Sequence, residues 1–147
     1  MSDSDHRPLP HPDRDSEPFW QALREGELRL QRCSGCGCLR FPPRAVCNRC
    51  TGFDAEWVAL SGRGTIASWV RTHQIFAPAY RNAVPYWNVQ VVVAEQDDIQ
   101  LIGGWHGSAE PHFGQAVRAH LVAVDSDHTL LDWEPDPESP GRGSGRV

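Results

Sequence analysis

The chain has 147 residues and a formal net charge of −5, enough for one domain or for one domain with a small module. Its 14 basic residues are all Arg, and the acidic balance, with no basic cluster outside one cysteine-rich stretch, argues against a general nucleic-acid binder, which needs a basic face to displace phosphate counterions. No apolar run approaches the length of a bilayer span, no secretory leader opens the chain, and cysteines in that context fit a reducing cytoplasm.

Residues 1–15, with Pro8, Pro10, Pro12 and several Asp residues, read as a disordered arm. Residues 16–27 read as a helix of about three turns: Ser16 is placed to cap it, Glu17 and Pro18 fill its first turn, and Gly26 ends it. Phe19, Trp20 and Leu23 form one apolar stripe. So short a helix needs a surface to dock on, and this chain's own body and a partner protein are equally open.

Residues 28–55 read as a metal ribbon. Leu28–Arg32 and Leu39–Phe41 are its expected strands, with Pro42 and Pro43 turning the chain towards a second cysteine pair. Cys33-Ser-Gly-Cys36 and Cys47-Asn-Arg-Cys50 each have the two-residue gap that lets both sulfurs of a turn face one ion. Four thiolates make a closed tetrahedral shell, so the expected ion is a structural zinc with no open position for substrate. Cys38 is poorly spaced to join that shell and reads as a small, partly buried residue; a substitute ligand or reactive thiol is the sharper alternative. Arg29, Arg32, Arg40, Arg44 and Arg49 gather around the cysteines. A solvated ribbon surface is the expectation for them, an anion patch the alternative.

Residues 56–134 are β by pattern. Glu56–Leu60 leaves the ribbon, Ser61-Gly62-Arg63-Gly64 makes a turn with two glycines, and a strand runs from Thr65 to about His73. Trp87, Val89, Val91 and Val93 alternate; Ile99–Trp105 follows a turn at Asp97-Asp98; Val117, Ala119, Leu121 and Ala123 alternate again; Thr129–Trp133 closes the set. Five short strands with short turns predict a small barrel, with a sandwich as alternative. The segment from Gln74 to Pro85 is too long for a tight hairpin and carries Phe76 and Tyr80, so it either covers a barrel end or joins a shared pocket. Residues 135–147 read as a disordered tail.

No catalytic residue emerges. His73, His106, His112, His120 and His128, with Asp97, Asp98, Asp125 and Asp127, form no nucleophile elbow, paired-carboxylate or H-x-x-x-H pattern. His120 reads as a surface residue opposite Leu121. His106, beside Gly107 at a strand end, sits where binding residues can sit.

The ordered series Phe19-Trp20, Gly26-x-Leu28, Arg32-Cys33-x-x-Cys36-Gly37, Pro42-Pro43-Arg44, Cys47-x-x-Cys50, Ser61-Gly62-Arg63-Gly64-Thr65 and Pro85-Tyr86 resembles one family over roughly residues 17–134. That family joins a rubredoxin-like zinc ribbon to an OB fold and is known as domain of unknown function 35. Asn48 replaces a common Pro, and Cys38 is extra. The resemblance implies an N-terminal helix, the ribbon and a five-stranded OB barrel, with Cys33, Cys36, Cys47 and Cys50 as zinc ligands. It also implies a non-catalytic accessory subunit of a thiolase-like acyl-CoA enzyme, an aldolase or thiolase of which steroid side-chain degradation is one setting. Phe19, Trp20 and Leu23 are then candidate partner contacts, and acyl-CoA a candidate ligand at a shared interface. The alternatives are an OB-fold nucleic-acid module, in which Trp57, Trp69, Trp87, Trp105 and Tyr86 would stack on bases, and a stand-alone acyl-CoA binder.

Overall fold

The computed structural model describes residues 7–139, so the ends of the expected arm and tail, 1–6 and 140–147, lie outside it. Among the described residues no helix is long and apolar enough to cross a membrane.

Helix α1 spans Glu17–Arg24, just over two turns and shorter than expected. Ser16 stands at its N-cap without capping it. Its hydroxyl turns back to donate to Asp13 Oδ1 at 2.6 Å, and the same carboxylate oxygen takes the Ser16 N–H at 2.8 Å. At the other end Gly26 adopts φ 87°. Its N–H reaches Leu23 O, and the Glu27 N–H reaches Ala22 O, the paired bonds that close a helix through a left-handed residue. Phe19, Ala22 and Leu23 are buried against this chain's own body.

Two sheets follow. The ribbon sheet has the antiparallel order β2 (Leu39–Arg40), β1 (Arg29–Cys33), β3 (Ala55–Ala59). The second sheet runs β6 (Gln100–Gly104), β5 (Tyr86–Val93), β4 (Arg63–Thr72), β7 (Ala116–Ala123), β8 (Thr129–Pro135). It closes on itself where β8 meets β6: Trp105 pairs in parallel with Trp133, and the His106 N–H donates to Trp133 O at 2.9 Å. Five antiparallel strands closed by one parallel contact make the expected OB-like barrel. Strand β4 serves both β5 and β7 through an irregularity between Ile66 and Ser68, the bend a small barrel needs.

The alternating positions bury as their period demands. Val89, Val91 and Val93 point inward from β5, and Trp133 fills the barrel with no exposed surface. Of the two expected turn glycines only Gly62 is in the turn, at φ 75°. Gly64 already lies in β4, opposite Val93 and Val117. A Cβ there would meet Val92 O at 2.4 Å, so close strand approach, not turn geometry, requires that glycine.

Ribbon and barrel share one core, in which Leu23, Leu28, Leu30 and Leu39 join Ile66, Val91 and Leu101. The β5–β6 turn clamps the ribbon. Gln96 accepts the Leu39 N–H at 2.8 Å and donates to Leu39 O, and Asp98 pairs with Arg49. The arm also has a defined course from Arg7, whose guanidinium lies 5.5 Å over the Tyr80 ring.

Candidate metal centre and the groove beside it

The sulfurs of Cys33, Cys36, Cys47 and Cys50 all lie within 4.8 Å of one another. Cys33 and Cys50 are 3.4 Å apart, Cys36 and Cys47 3.7 Å. Four sulfurs held tetrahedrally at ~2.3 Å from one ion would be ~3.8 Å apart, so the cluster has the right size for a metal.

Its electrostatics favour a thiolate at the first cysteine of each pair. Gly37 takes φ 75° and Thr51 φ 62°, which folds the backbone of each pair around its first cysteine. The Arg49 N–H donates to Cys47 Sγ at 3.4 Å. Backbone donors at Cys50 and Arg49 pull the Cys47 thiol down to about 5. The backbone at Cys36 and the Arg40 side chain pull Cys33 down to about 7. Charged sulfur is therefore favoured at the first cysteine of each pair, whereas at Cys50 the Gly52 backbone donor is outweighed by the contact with Cys33 together with burial, and the thiol rises to about 11.

Arg40 departs most from expectation. It is 1% exposed, not a solvated ribbon residue. Its guanidinium donates to the carbonyls of Arg44 (3.2 Å), Gly52 (3.4 Å) and Asp54 (3.2 Å), and its charge is further favoured by Cys33. A buried cation beneath a cluster of thiolates offsets their negative charge. The other ribbon arginines behave more as expected: Arg29 pairs with Glu25 and Glu27 at the surface.

Cys38 is 7% exposed, and its sulfur lies 3.2 Å from that of Cys36 and 3.4 Å from that of Cys47. Burial, then its contact with Cys36, pushes its thiol up to about 12. It packs against the four-sulfur shell, at least as close to Cys36 and Cys47 as those two are to each other.

A second feature was not visible in the sequence. A groove of about 650 Å³ runs between α1, the ribbon and the outer face of β6 and β8; Trp20, Phe41, Tyr86, Trp87 and Trp105 line it. Tyr80, from the long 74–85 segment, packs on Tyr86 at the start of β5 with ring centroids 5.5 Å apart, so that segment joins a pocket. At its polar rim His106 Nε2 sits 2.7 Å from Asp132 Oδ2, while Asp132 Oδ1 accepts the Gly104 N–H at 2.7 Å. His120, expected as a surface residue, stacks on His106 with ring centroids 4.3 Å apart and contacts Glu134 at 3.1 Å. Arg118, then His120, holds the Glu134 carboxyl below its usual range. His106 and Asp132 are 26 positions apart in sequence, and only the β8–β6 closure brings them together. His128 pairs locally with Asp125.

Among the candidate partner residues, Phe19 and Leu23 are spent on the chain's own core, and Trp20 keeps exposed surface at the groove. Of the candidate base-stacking residues, Trp57, Trp69 and Trp105 are packed against the barrel core.

Fold and cluster together define a metal-ribbon protein with an OB-like barrel. Residues 20–56 match the family model described as ChsH2, rubredoxin-like zinc ribbon domain. The chain is 32% identical over 136 residues to the 3-oxo-4,17-pregnadiene-20-carboxyl-CoA hydratase alpha subunit of Mycobacterium tuberculosis, covering 91% of this chain and 42% of that one. It is 30% identical over 139 residues to a probable enoyl-CoA hydratase alpha subunit of Thermomonospora curvata, covering 90% of this chain and 37% of that one. The chain thus spans about two fifths of the length of these curated relatives. Among solved structures, a chain of the Ltp2-ChsH2(DUF35) aldolase superimposes with a TM-score of 0.77 at 29% identity, covering 86% of this chain and 98% of that chain. A DUF35 protein of unknown function from Sulfolobus solfataricus gives a TM-score of 0.58 at 17% identity, over 84% of this chain and 86% of that one, a likeness of fold alone. The resemblance read from the sequence therefore holds: residues 20–56 match the ChsH2 ribbon model, and the fold as a whole is similar to that of a chain of the Ltp2-ChsH2(DUF35) aldolase.

Proposed function

We propose that this chain is a non-catalytic accessory subunit of a thiolase-like acyl-CoA enzyme complex, an aldolase or thiolase acting in steroid side-chain breakdown. The observation that carries the reading is the match to nearly the whole of a chain of the Ltp2-ChsH2(DUF35) aldolase. The curated relatives are themselves named as alpha subunits, one of them of a steroid carboxyl-CoA hydratase. In this reading the four cysteines hold a structural zinc, which supplies folding energy and no open coordination position. The thiolase-like partner supplies the catalytic groups, and acyl-CoA binds at the shared interface. Helix α1, through Trp20, contributes to docking, and exposed apolar side chains such as Phe53, Phe76 and Phe113 are the surface a partner would cover. The complex works in the cytoplasm.

Co-expression with a candidate thiolase-like protein from the same genome, followed by size exclusion with light scattering, tests this. A stable complex of defined stoichiometry is expected. Clean separation of the two proteins at micromolar concentration would overturn it, and calorimetry with CoA and short acyl-CoAs would then test the stand-alone binder.

A further inference from the structure

We propose that the groove beside the ribbon binds a flat, largely apolar ring system carrying a hydroxyl at its edge, and that His106, held by Asp132, is the acceptor for that hydroxyl. The class of ligand rests on the accessory-subunit reading; the site rests on the groove itself.

Its walls carry the aromatic side chains of Trp20, Phe41, Tyr86 and Trp105, and its volume of about 650 Å³ lies within the range of small-molecule sites. Aromatic walls favour a rigid, flat ligand, which loses little conformational freedom on binding. Of the charged residues on the lining, Arg7 is engaged over the Tyr80 ring, which leaves the His106–Asp132 pair to fix orientation.

The pair is built to accept a proton donor. Asp132 is held by the Gly104 N–H, and a Cβ on Gly104 would stand 3.0 Å from the Asp132 carboxylate and crowd it. The Asp132 carboxylate in turn accepts a hydrogen bond from the His106 Nε2–H tautomer. In the neutral ring this leaves Nδ1 with a lone pair, an acceptor that suits a hydroxyl and not a ketone. The stack on His120, itself tied to Glu134, holds the imidazole plane.

The test is tryptophan-fluorescence titration of the full zinc-loaded chain with dehydroepiandrosterone, which carries a ring hydroxyl, and with 4-androstene-3,17-dione, which carries a ketone in its place. Saturable binding with at least tenfold preference for the hydroxysteroid is expected. His106→Phe keeps an aromatic ring against His120 but removes the acceptor, and should abolish the preference by bringing the hydroxysteroid affinity down to that of the ketosteroid. Asp132→Asn provides a second variant and should reduce the preference. Trp20→Ala should weaken both steroids. Absence of saturable binding, equal affinities in the wild type, or an intact preference in His106→Phe would overturn the proposal. Co-elution with the thiolase-type protein is scored separately: loss of steroid binding with the complex intact sinks this inference alone, and loss of the complex with the hydroxyl preference intact sinks only the accessory-subunit reading.

Discussion

Replacing Arg40 by Met keeps most of the apolar stem and removes the guanidinium. The side chain is almost wholly inaccessible and donates to three carbonyls, those of Arg44, Gly52 and Asp54, on the segment that carries the second cysteine pair. Hydrogen bonds from a charged group contribute ~1.5–3 kcal/mol each. The desolvation of the guanidinium offsets part of this, and removing one member of a buried charged arrangement costs ~3–5 kcal/mol net. Taking ~4 kcal/mol, and a tenfold change per ~1.4 kcal/mol, the folded, metal-loaded ribbon should be disfavoured nearly a thousandfold. Urea unfolding of the zinc-loaded chain, followed by tryptophan fluorescence and paired with chelator competition, measures both effects. The midpoint should fall and zinc should pass to a weaker chelator. Arg40→Lys should lie between the two, because lysine keeps the charge but not the fork that reaches several carbonyls at once. An unchanged midpoint with unchanged chelator competition in Arg40→Met would show that the residue only fills space and that its charge does not matter to the cluster.

Further outcomes follow from the same geometry. Cys33→Ser should lose the metal and give a soluble ribbon only poorly, whereas Cys38→Ser should retain one metal per chain and release it faster to chelator; equal metal content in both, read by atomic absorption, would contradict the four-sulfur assignment. Gly64→Ala should cost ~3 kcal/mol or more, since its Cβ would meet Val92 O at 2.4 Å and Val91 Cγ1 at 2.5 Å; a thermal midpoint within a degree of wild type would refute that close approach. Glu134, whose carboxyl is held low by Arg118, contributes stability above its unfolded value that is lost as pH falls through its folded one. Arg118→Gln should therefore move the acid limb of a pH–stability curve upward, with an effect below ~1 kcal/mol for so open a pair.

The cysteine spacing and the alternation of Val89, Val91 and Val93 made the ribbon and the barrel legible, because both signals are local and periodic. Arg40 was illegible because arginine reads as a solvated residue until the fold places it under the sulfurs. The His106–Asp132 pair was illegible for another reason: its members lie on strands that meet only when the sheet closes, and neither carries a spacing that sequence can count. Helix α1 shows the limit within a single motif, since Phe19, Trp20 and Leu23 share one stripe, and only packing decides that two of them go to the core while Trp20 is left at the groove.

Strand β2 links the metal centre to the groove. Cys38, Leu39, Arg40 and Phe41 are consecutive, and in order they touch the sulfur cluster, the shared core, the buried carbonyls and the groove wall. Phe41 also packs against Phe19 at 5.5 Å, so helix α1 rests on the same strand. The groove wall is thus held in place by the segment that joins it to the sulfur cluster. Stripping the metal with a chelator should loosen α1 and the Phe41 wall while the barrel strands, paired among themselves, persist. Hydrogen exchange followed by mass spectrometry should show faster exchange across residues 17–56 and near-native protection in β5 and β7. Uniform acceleration across the whole chain would mean that ribbon and barrel unfold as one unit. Unchanged exchange in α1 would mean that the metal supports the ribbon alone.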